Sequence, residues 1–179
     1  GAPFIKNVHV DIVPEISTAI AKLETGESDW FEGITAEHLS RVKNMSNVTL
    51  VSELSGRVTY LGVRTNSSKT GSTEIPEVRE AIAYALDKPG FVATQNGLAV
   101  ASDSLVGPKV FGYTDNSETY GTGFNMEKAQ QIITDNNLAD KTIHILASNS
   151  SFYPEIAEFV QASLLEAGFE TVEIEMMEW

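Results

Sequence analysis

Two loops of this chain carry polar side chains directly after segments that are predicted to be β-strands. Asn66 and Lys69 follow one strand, and residues 148–153 lead from another strand into a helix. Ligands of open α/β sheets bind outside the carboxyl ends of strands, and helix amino termini attract carboxylates. Both loops are therefore candidates for non-covalent ligand binding. The alternatives are that Ser150 or Ser151 only caps the helix and that Lys69 is only solvated.

Residue types that would support covalent or metal chemistry are missing or scattered. The chain has no Cys, which excludes thiol catalysis, disulfides and cysteine metal sites. His9, His38 and His144 form no i, i+4 pair, whereas a structural metal site needs several converging ligands. No Gly-x-Ser-x-Gly elbow, dinucleotide fingerprint or Walker loop occurs. We therefore predict no catalytic residue, no metal and no cofactor.

Composition restricts the class of protein further. The chain has 179 residues, 42% of them apolar and 21% charged, which is typical of one globular domain. Twelve Lys and Arg against 25 Asp and Glu give a formal net charge of −13. Such a surface repels nucleic acid and anionic membranes, so neither is expected as a partner.

Strand and helix patterns alternate through most of the chain. The predicted strands are 8–12, 28–31, 48–53, 57–65, 142–147 and 172–176, with a turn at Ser55–Gly56 between the third and the fourth. The predicted helices lie near 16–25, 36–42, 76–86, 89–96, 126–133 and 156–167. Ile82 lies on an apolar helical stripe with Val78, and Val160 lies on another, so both are predicted core positions, while Gly26 and Gly168 are predicted to end their helices. The alternation predicts an α/β domain in which a central mixed sheet has helices on both faces. Residues 97–123 show little periodicity, and loops of that length in compact domains are usually functional or mobile.

Six segments of the chain, in one order, resemble a known protein family. The most specific is residues 78–87, Val-Arg-Glu-Ala-Ile-Ala-Tyr-Ala-Leu-Asp, and the others are 16–29, 58–66, 120–133, 152–168 and 172–179. Together they resemble the extracellular solute-binding proteins of peptide-type ABC importers, the family-5 group that binds oligopeptides, dipeptides and nickel chelates. The chain departs from the family pattern at Asn125, where Asp is usual, but Asn125 is still expected to cap the helix that follows.

The resemblance implies a type II periplasmic-binding-protein-like fold, with two lobes around a cleft. Proteins of this family run to several hundred residues, and the second lobe is inserted into the first. Residues 1–179 are therefore interpreted as one excised insertion lobe. The acidic residue with which the family grips a peptide amino terminus would lie beyond Trp179.

The resemblance also extends the set of candidate site residues. The family commonly lines its cleft with the long loop that contains Asp103 and Ser104. Tyr153 lies where some peptide-binding relatives place a polar side chain near the peptide's carboxyl end. Phe111 and Tyr113 offer an apolar wall, although such aromatics, like Trp30, are more often core residues. The predicted ligand-binding residues are Asn66, Lys69, Asp103, Ser104, Asn149 and Tyr153.

The function that the resemblance implies is non-catalytic capture of a peptide or other small solute. The expected partners are the subunits of an ABC permease and the missing first lobe of the same protein. The expected location is outside the bacterial cytoplasm, either in the periplasm or on the cell surface as a lipoprotein. Two alternatives remain open, a sensor module for a peptide pheromone and a small α/β hydrolase that uses surface carboxylates.

Overall fold

A computed structural model describes residues 3–66, 72–114, 123–150 and 152–178 of the chain. Lys69, one of the predicted site residues, lies outside the described residues. The chain forms two compact units, Gly1–Val51 and Ser52–Trp179.

The first unit is built on two short helices, α1 (Ile16–Thr25) and α2 (Ala36–Lys43). Gly26 ends α1 in the left-handed conformation at φ 76°, which a glycine adopts without steric cost. Arg41 pairs with Glu24 at 2.6 Å, and the Asn47 amide donates to the Leu23 carbonyl at 3.4 Å. The buried side chains of this unit are Ala19, Ile20, Leu23, Leu39 and Val42.

The two strands predicted for this unit, 8–12 and 28–31, do not form in the described residues. Val8, Val10 and Ile12 alternate as a strand would, yet all three side chains are exposed. A segment of alternating apolar and polar residues forms a strand only where a neighbouring backbone pairs with it and an apolar surface covers one of its faces. The described part of the first unit supplies neither. Trp30 is also exposed rather than in the core.

The second unit contains the larger set of elements. They are α3 (Pro76–Ala85), α4 (Lys88–Thr94), α5 (Met126–Asp135), β1 (Ile143–Ser148), α6 (Tyr153–Ala167) and β2 (Val172–Met177). Local signals set their ends. The Asp87 carboxylate accepts from the Gly90 N–H and caps α4, and Asn125 accepts from the Lys128 N–H at 2.9 Å and caps α5. The cap predicted at Asn125 is therefore confirmed.

β1 and β2 run parallel, in register from Ile143 opposite Val172 to Ser148 opposite Met177, and α6 connects them. This is a β–α–β unit, the connection that parallel strands require. Ile143, Ile145 and Val172 are buried against the helices. The opposite face exposes Leu146 and the ion pair between His144 and Glu173.

The sheet is smaller than the sequence predicted. In the described residues it has two parallel strands, with helices on one face, rather than being a mixed sheet covered on both. The predicted strands 48–53 and 57–65 do not form, because their backbone groups make no backbone–backbone hydrogen bonds with other described residues. A strand needs such a ladder, and an apolar pattern alone does not provide one.

The core of the second unit lies between β1–β2 and helices α3, α5 and α6. Ile82 is 4% exposed and Val160 is 3% exposed, which confirms both as predicted core positions. Other buried members are Val78, Ala81, Ala85, Ala129, Ile133, Leu138, Ala157, Leu164, Ala167 and Phe169.

A polar contact joins α3 to α5 at the edge of this core. The Lys128 ammonium donates to the Tyr84 hydroxyl at 2.5 Å and lies 4.0 Å from the centre of its ring. The Tyr84 carbonyl also accepts from the Asn125 N–H at 2.9 Å. The hydroxyl contact, together with the nearby Glu80 carboxylate, raises the pKa of Lys128 above its ordinary value.

Candidate functional site

The junction between β1 and α6 holds two of the predicted site residues, Asn149 and Tyr153. The Asn149 N–H donates to the Met177 carbonyl at 3.0 Å, which fixes the junction against the end of β2. The hydroxyls of Ser148 and Ser150 are 2.8 Å apart, and Ser148 is buried. Ser150 therefore closes the loop on Ser148, and α6 begins after Phe152 with no side-chain cap.

Tyr153 is the first residue of α6 and is half-buried. Its ring stacks on that of Phe152, with centroids 5.0 Å apart and planes 25° apart. Among the described residues its hydroxyl makes no hydrogen bond, and neither does the Asn149 amide group. Each retains its capacity to donate and to accept, which suits recognition of a polar solute.

Helix α4 contacts both α6 and the long loop. Phe91 of α4 lies against Phe159 of α6, with ring centroids 4.7 Å apart. Lys88, the first residue of α4, forms an ion pair with Asp103 in the loop. The Asp103 carboxylate is therefore engaged by a cation of the same chain. Lys88 was not among the predicted site residues, because nothing local in the sequence indicates a pairing across 15 positions.

Ser104 is held in a tight turn of the loop. Its N–H donates to the Ser102 hydroxyl at 3.2 Å, its carbonyl accepts from that hydroxyl, and its own hydroxyl accepts from the Val106 N–H. These bonds occupy most of the polar groups of Ser104. The loop beyond the turn exposes Leu105, Val110 and Phe111, whereas Tyr113 is half-buried. Phe111 is thus a surface residue and not a core one.

The loop approaches residues 52–57 of the same unit. A side chain on Gly107 would come within 3.2 Å of the Gly56 carbonyl oxygen, so glycine permits this close approach. Lys109 pairs with Glu53 at 2.8 Å nearby. The Ser55 hydroxyl accepts from the Arg57 N–H at 3.1 Å, in agreement with the turn predicted at Ser55–Gly56.

Asn66 ends the segment that precedes α3, and its side chain is exposed. Two residues earlier, the Arg64 carbonyl accepts a hydrogen bond from the Thr73 hydroxyl at 2.8 Å. Arg79 of α3 in turn donates to the carbonyls of Thr73 and Glu74. Arg79 and Thr73 were not among the predicted site residues.

The structure groups the predicted residues in part. Asp103 and Ser104 share one turn, and Asn149 and Tyr153 share the β1–α6 junction. Helix α4 contacts the turn through Lys88 and the middle of α6 through Phe91. In the described residues, no hydrogen bond or ion pair joins one group to the other or to Asn66. The six-residue site therefore stays a prediction.

Two shallow depressions lie elsewhere. One, of about 430 Å³, is lined by Glu24, Arg41 and residues 44–47 of the first unit. The other, of about 470 Å³, lies between the ends of α5 and α6 and includes Gln130, Asn137 and Glu166. Neither includes a predicted site residue.

The described residues hold little that resembles a reaction centre. Within them, no three of His, Cys, Asp and Glu converge as metal ligands would. Ser17 and His38 are 3.4 Å apart, but the other ring nitrogen of His38 contacts the Thr35 hydroxyl at 2.8 Å. A nucleophilic Ser–His pair needs a third group that orients the base, usually a carboxylate. No helix in this part of the chain is long and apolar enough to cross a membrane.

Comparison with known proteins identifies the relatives of the chain. It is 26% identical over 127 residues to heme-binding protein A of Haemophilus influenzae, covering 70% of this chain and 22% of that protein. It is 26% identical over 137 residues to the dipeptide-binding protein of Escherichia coli, covering 76% and 25%. The chain therefore spans about a quarter of the length of these relatives.

The fold agrees with a solved structure of the same kind. The oligopeptide-binding protein AppA of Bacillus subtilis, in complex with a nonapeptide, matches with a TM-score of 0.72 and 21% identity. The match covers 94% of this chain and 35% of that one, so the periplasmic-binding-protein-like fold is confirmed. The model of the bacterial extracellular solute-binding proteins, family 5, matches residues 1–179. The chain therefore belongs to the family-5 bacterial extracellular solute-binding proteins.

Proposed function

We propose that the protein containing this chain captures peptides outside the cytoplasm and delivers them to an ABC permease. The observation that carries the proposal is the family match over residues 1–179. Two relatives are a dipeptide-binding protein and an oligopeptide-binding protein that holds a nonapeptide. In this proposal the chain supplies one lobe of the ligand cleft, and the rest of the protein supplies the other.

The chemistry of the candidate residues supports a peptide as the solute. Asn66, Asn149 and Tyr153 are neutral side chains that both donate and accept hydrogen bonds. Such groups match the alternating N–H and C=O groups of a peptide backbone, whatever its side chains. In the Lys88–Asp103 pair, the Lys88 ammonium neutralises the charge of the Asp103 carboxylate. This favours ligands selected by their backbone over ligands selected by one strong charge.

Binding is proposed to occur without chemical change to the solute. Two lobes that close around a ligand exclude water, and the ligand stabilises the closed state in proportion to its preference for that state. The permease then recognises the closed form. We further propose that the protein is held at the cell surface by a lipid anchor or lies free in the periplasm.

Native mass spectrometry of the full-length protein tests the proposal. The protein is incubated with alanine peptides of two to nine residues, and separately with haemin, because one relative is named for heme. Saturable binding of at least one peptide, with the peptide recovered intact, is the expected result. Binding of haemin alone would replace the peptide proposal, and hydrolysis of the peptides would favour an enzyme.

A further inference from the structure

Arg79 makes contacts that its position in a helix does not explain. It is the fourth residue of α3, where the helix dipole disfavours a positive charge. Among the described residues it has no carboxylate partner. Instead, its Nη1 group donates to two successive carbonyls before the helix, Thr73 at 2.9 Å and Glu74 at 2.7 Å.

These two bonds hold the approach to α3 rather than the helix itself. Thr73 links Arg79 to the preceding segment, because its carbonyl accepts from Arg79 and its hydroxyl donates to the Arg64 carbonyl at 2.8 Å. Hydrogen bonds from a charged donor are stronger than those between neutral groups. Ser72, next to Thr73, is buried, and its carbonyl accepts from the Ile75 N–H. Residues 72–75, which precede α3, are therefore held by this turn as well as by Arg79.

We propose that Arg79 is a positioning residue for ligand binding. Through Thr73 it fixes the backbone at Arg64 and thereby the position of Asn66. The role of Asn66 in contacting the ligand rests on the proposed function. Arg79 itself does not touch the solute. Its contribution is to reduce the conformational freedom that Asn66 would otherwise lose when a peptide binds.

Limited trypsin digestion of the full-length protein tests the restraint without any ligand. Trypsin must place the Arg64 carbonyl oxygen in its oxyanion hole. The Thr73 hydroxyl already donates a hydrogen bond to that oxygen, so this bond must open before cleavage. Thr73→Val and Arg79→Ala should each speed cleavage of the Arg64–Thr65 bond about tenfold, since cleavage follows the population of the open form. Thr73→Ser keeps the hydroxyl and should cleave at the wild-type rate. The Arg57–Val58 bond of the same segment is the internal reference.

The double variant Thr73→Val, Arg79→Ala should cleave no faster than either single variant, because both changes release one restraint. Equal Arg64–Thr65 cleavage in all variants, relative to the Arg57–Val58 reference, would overturn the restraint.

Affinity for the alanine peptides then tests the role at the ligand. Thr73→Val and Arg79→Ala should raise the Kd about tenfold, measured well below the melting temperature, where a merely stabilising residue has no effect on Kd. Thr73→Ser should bind as the wild type does. Faster cleavage with an unchanged Kd would overturn the positioning role. A wild-type protein that binds no peptide would instead overturn the proposed function, while the cleavage pattern would still decide the restraint.

Discussion

The ring of Phe91 lies 4.7 Å from the ring of Phe159, at an angle of 33° between their planes. This contact seats α4 on α6, and α4 in turn carries Lys88, the partner of Asp103. The short helix therefore links the long loop to α6. Because α4 has no fully buried residue of its own, its position depends on this aromatic pair.

Phe91→Ala should lower the free energy of unfolding of the second unit by about 1–3 kcal/mol, less than for a fully buried ring. Phe111→Ala is the matched control, because the Phe111 side chain is fully exposed. Urea denaturation of both variants makes the comparison. A larger loss at Phe111 than at Phe91 would contradict the role assigned to α4.

Two neighbouring leucines of α6 give a direct test of which face of the helix meets the core. Leu164 is 1% exposed and Leu165 is 45% exposed. Leu164→Ala should cost about 2–5 kcal/mol because it leaves a cavity, and Leu165→Ala should cost under about 1 kcal/mol. Equal losses in chemical denaturation would mean that α6 is rotated from the position described.

Breaking the ion pair between Lys88 and Asp103 should change which ligands the full-length protein prefers. Lys88→Met removes the cation and leaves the Asp103 carboxylate unpaired, so the loop becomes more attractive to positive ligands. In the full-length protein, binding of trilysine relative to trialanine should improve by about three- to tenfold. Calorimetric titration at low salt measures the ratio, and Lys109→Met, which frees Glu53 instead, is the control. An unchanged ratio in Lys88→Met would place Asp103 away from the ligand.

The acid stability of the first unit should depend on Asp11. A hydrogen bond and ion pair with Lys22 lower the pKa of Asp11 below its ordinary value of 3.8. A lowered folded-state pKa means that its stabilising effect is complete above 3.8 and is lost as the pH falls through the folded-state value.

Asp11→Asn should therefore flatten the dependence of melting temperature on pH below about pH 4, where the wild type declines. The effect is small because the side chains of Lys22 and Asp11 are 32% and 53% exposed, so that solvent screens the pair. Asp29→Asn on the same unit serves as the comparison. If the melting temperature of Asp11→Asn falls with decreasing pH as steeply as that of the wild type, the pair does not stabilise the folded state.

The helices and their ends could be predicted from the sequence because their signals are local. The stripe through Val78 and Ile82 placed the buried face of α3, and Gly26, Asn125 and Gly168 marked element ends. The last two predicted strands also formed, because α6 brings them together as one β–α–β unit.

What failed depended on partners far away in the sequence. The segment 57–65 has a strand pattern, but no local signal states whether another backbone pairs with it. Phe111 has the residue type of a core side chain, and only the packing of the long loop leaves it exposed. The same holds for the site, because the contacts from Lys88 to Asp103 and from Arg79 to Thr73 join separate elements to loops.

The β1–α6 junction is proposed to contact a bound peptide. Calorimetric titration of the full-length protein with its tightest-binding alanine peptide tests it at Tyr153. Tyr153→Ala should weaken binding by about 1–3 kcal/mol, and Tyr153→Phe, which keeps the stacking on Phe152, should lose only the share that the hydroxyl provides. The melting temperature of Tyr153→Ala should stay close to that of the wild type. Unchanged affinity together with a lowered melting temperature would mean that Tyr153 is a packing residue and that the proposed site is wrong.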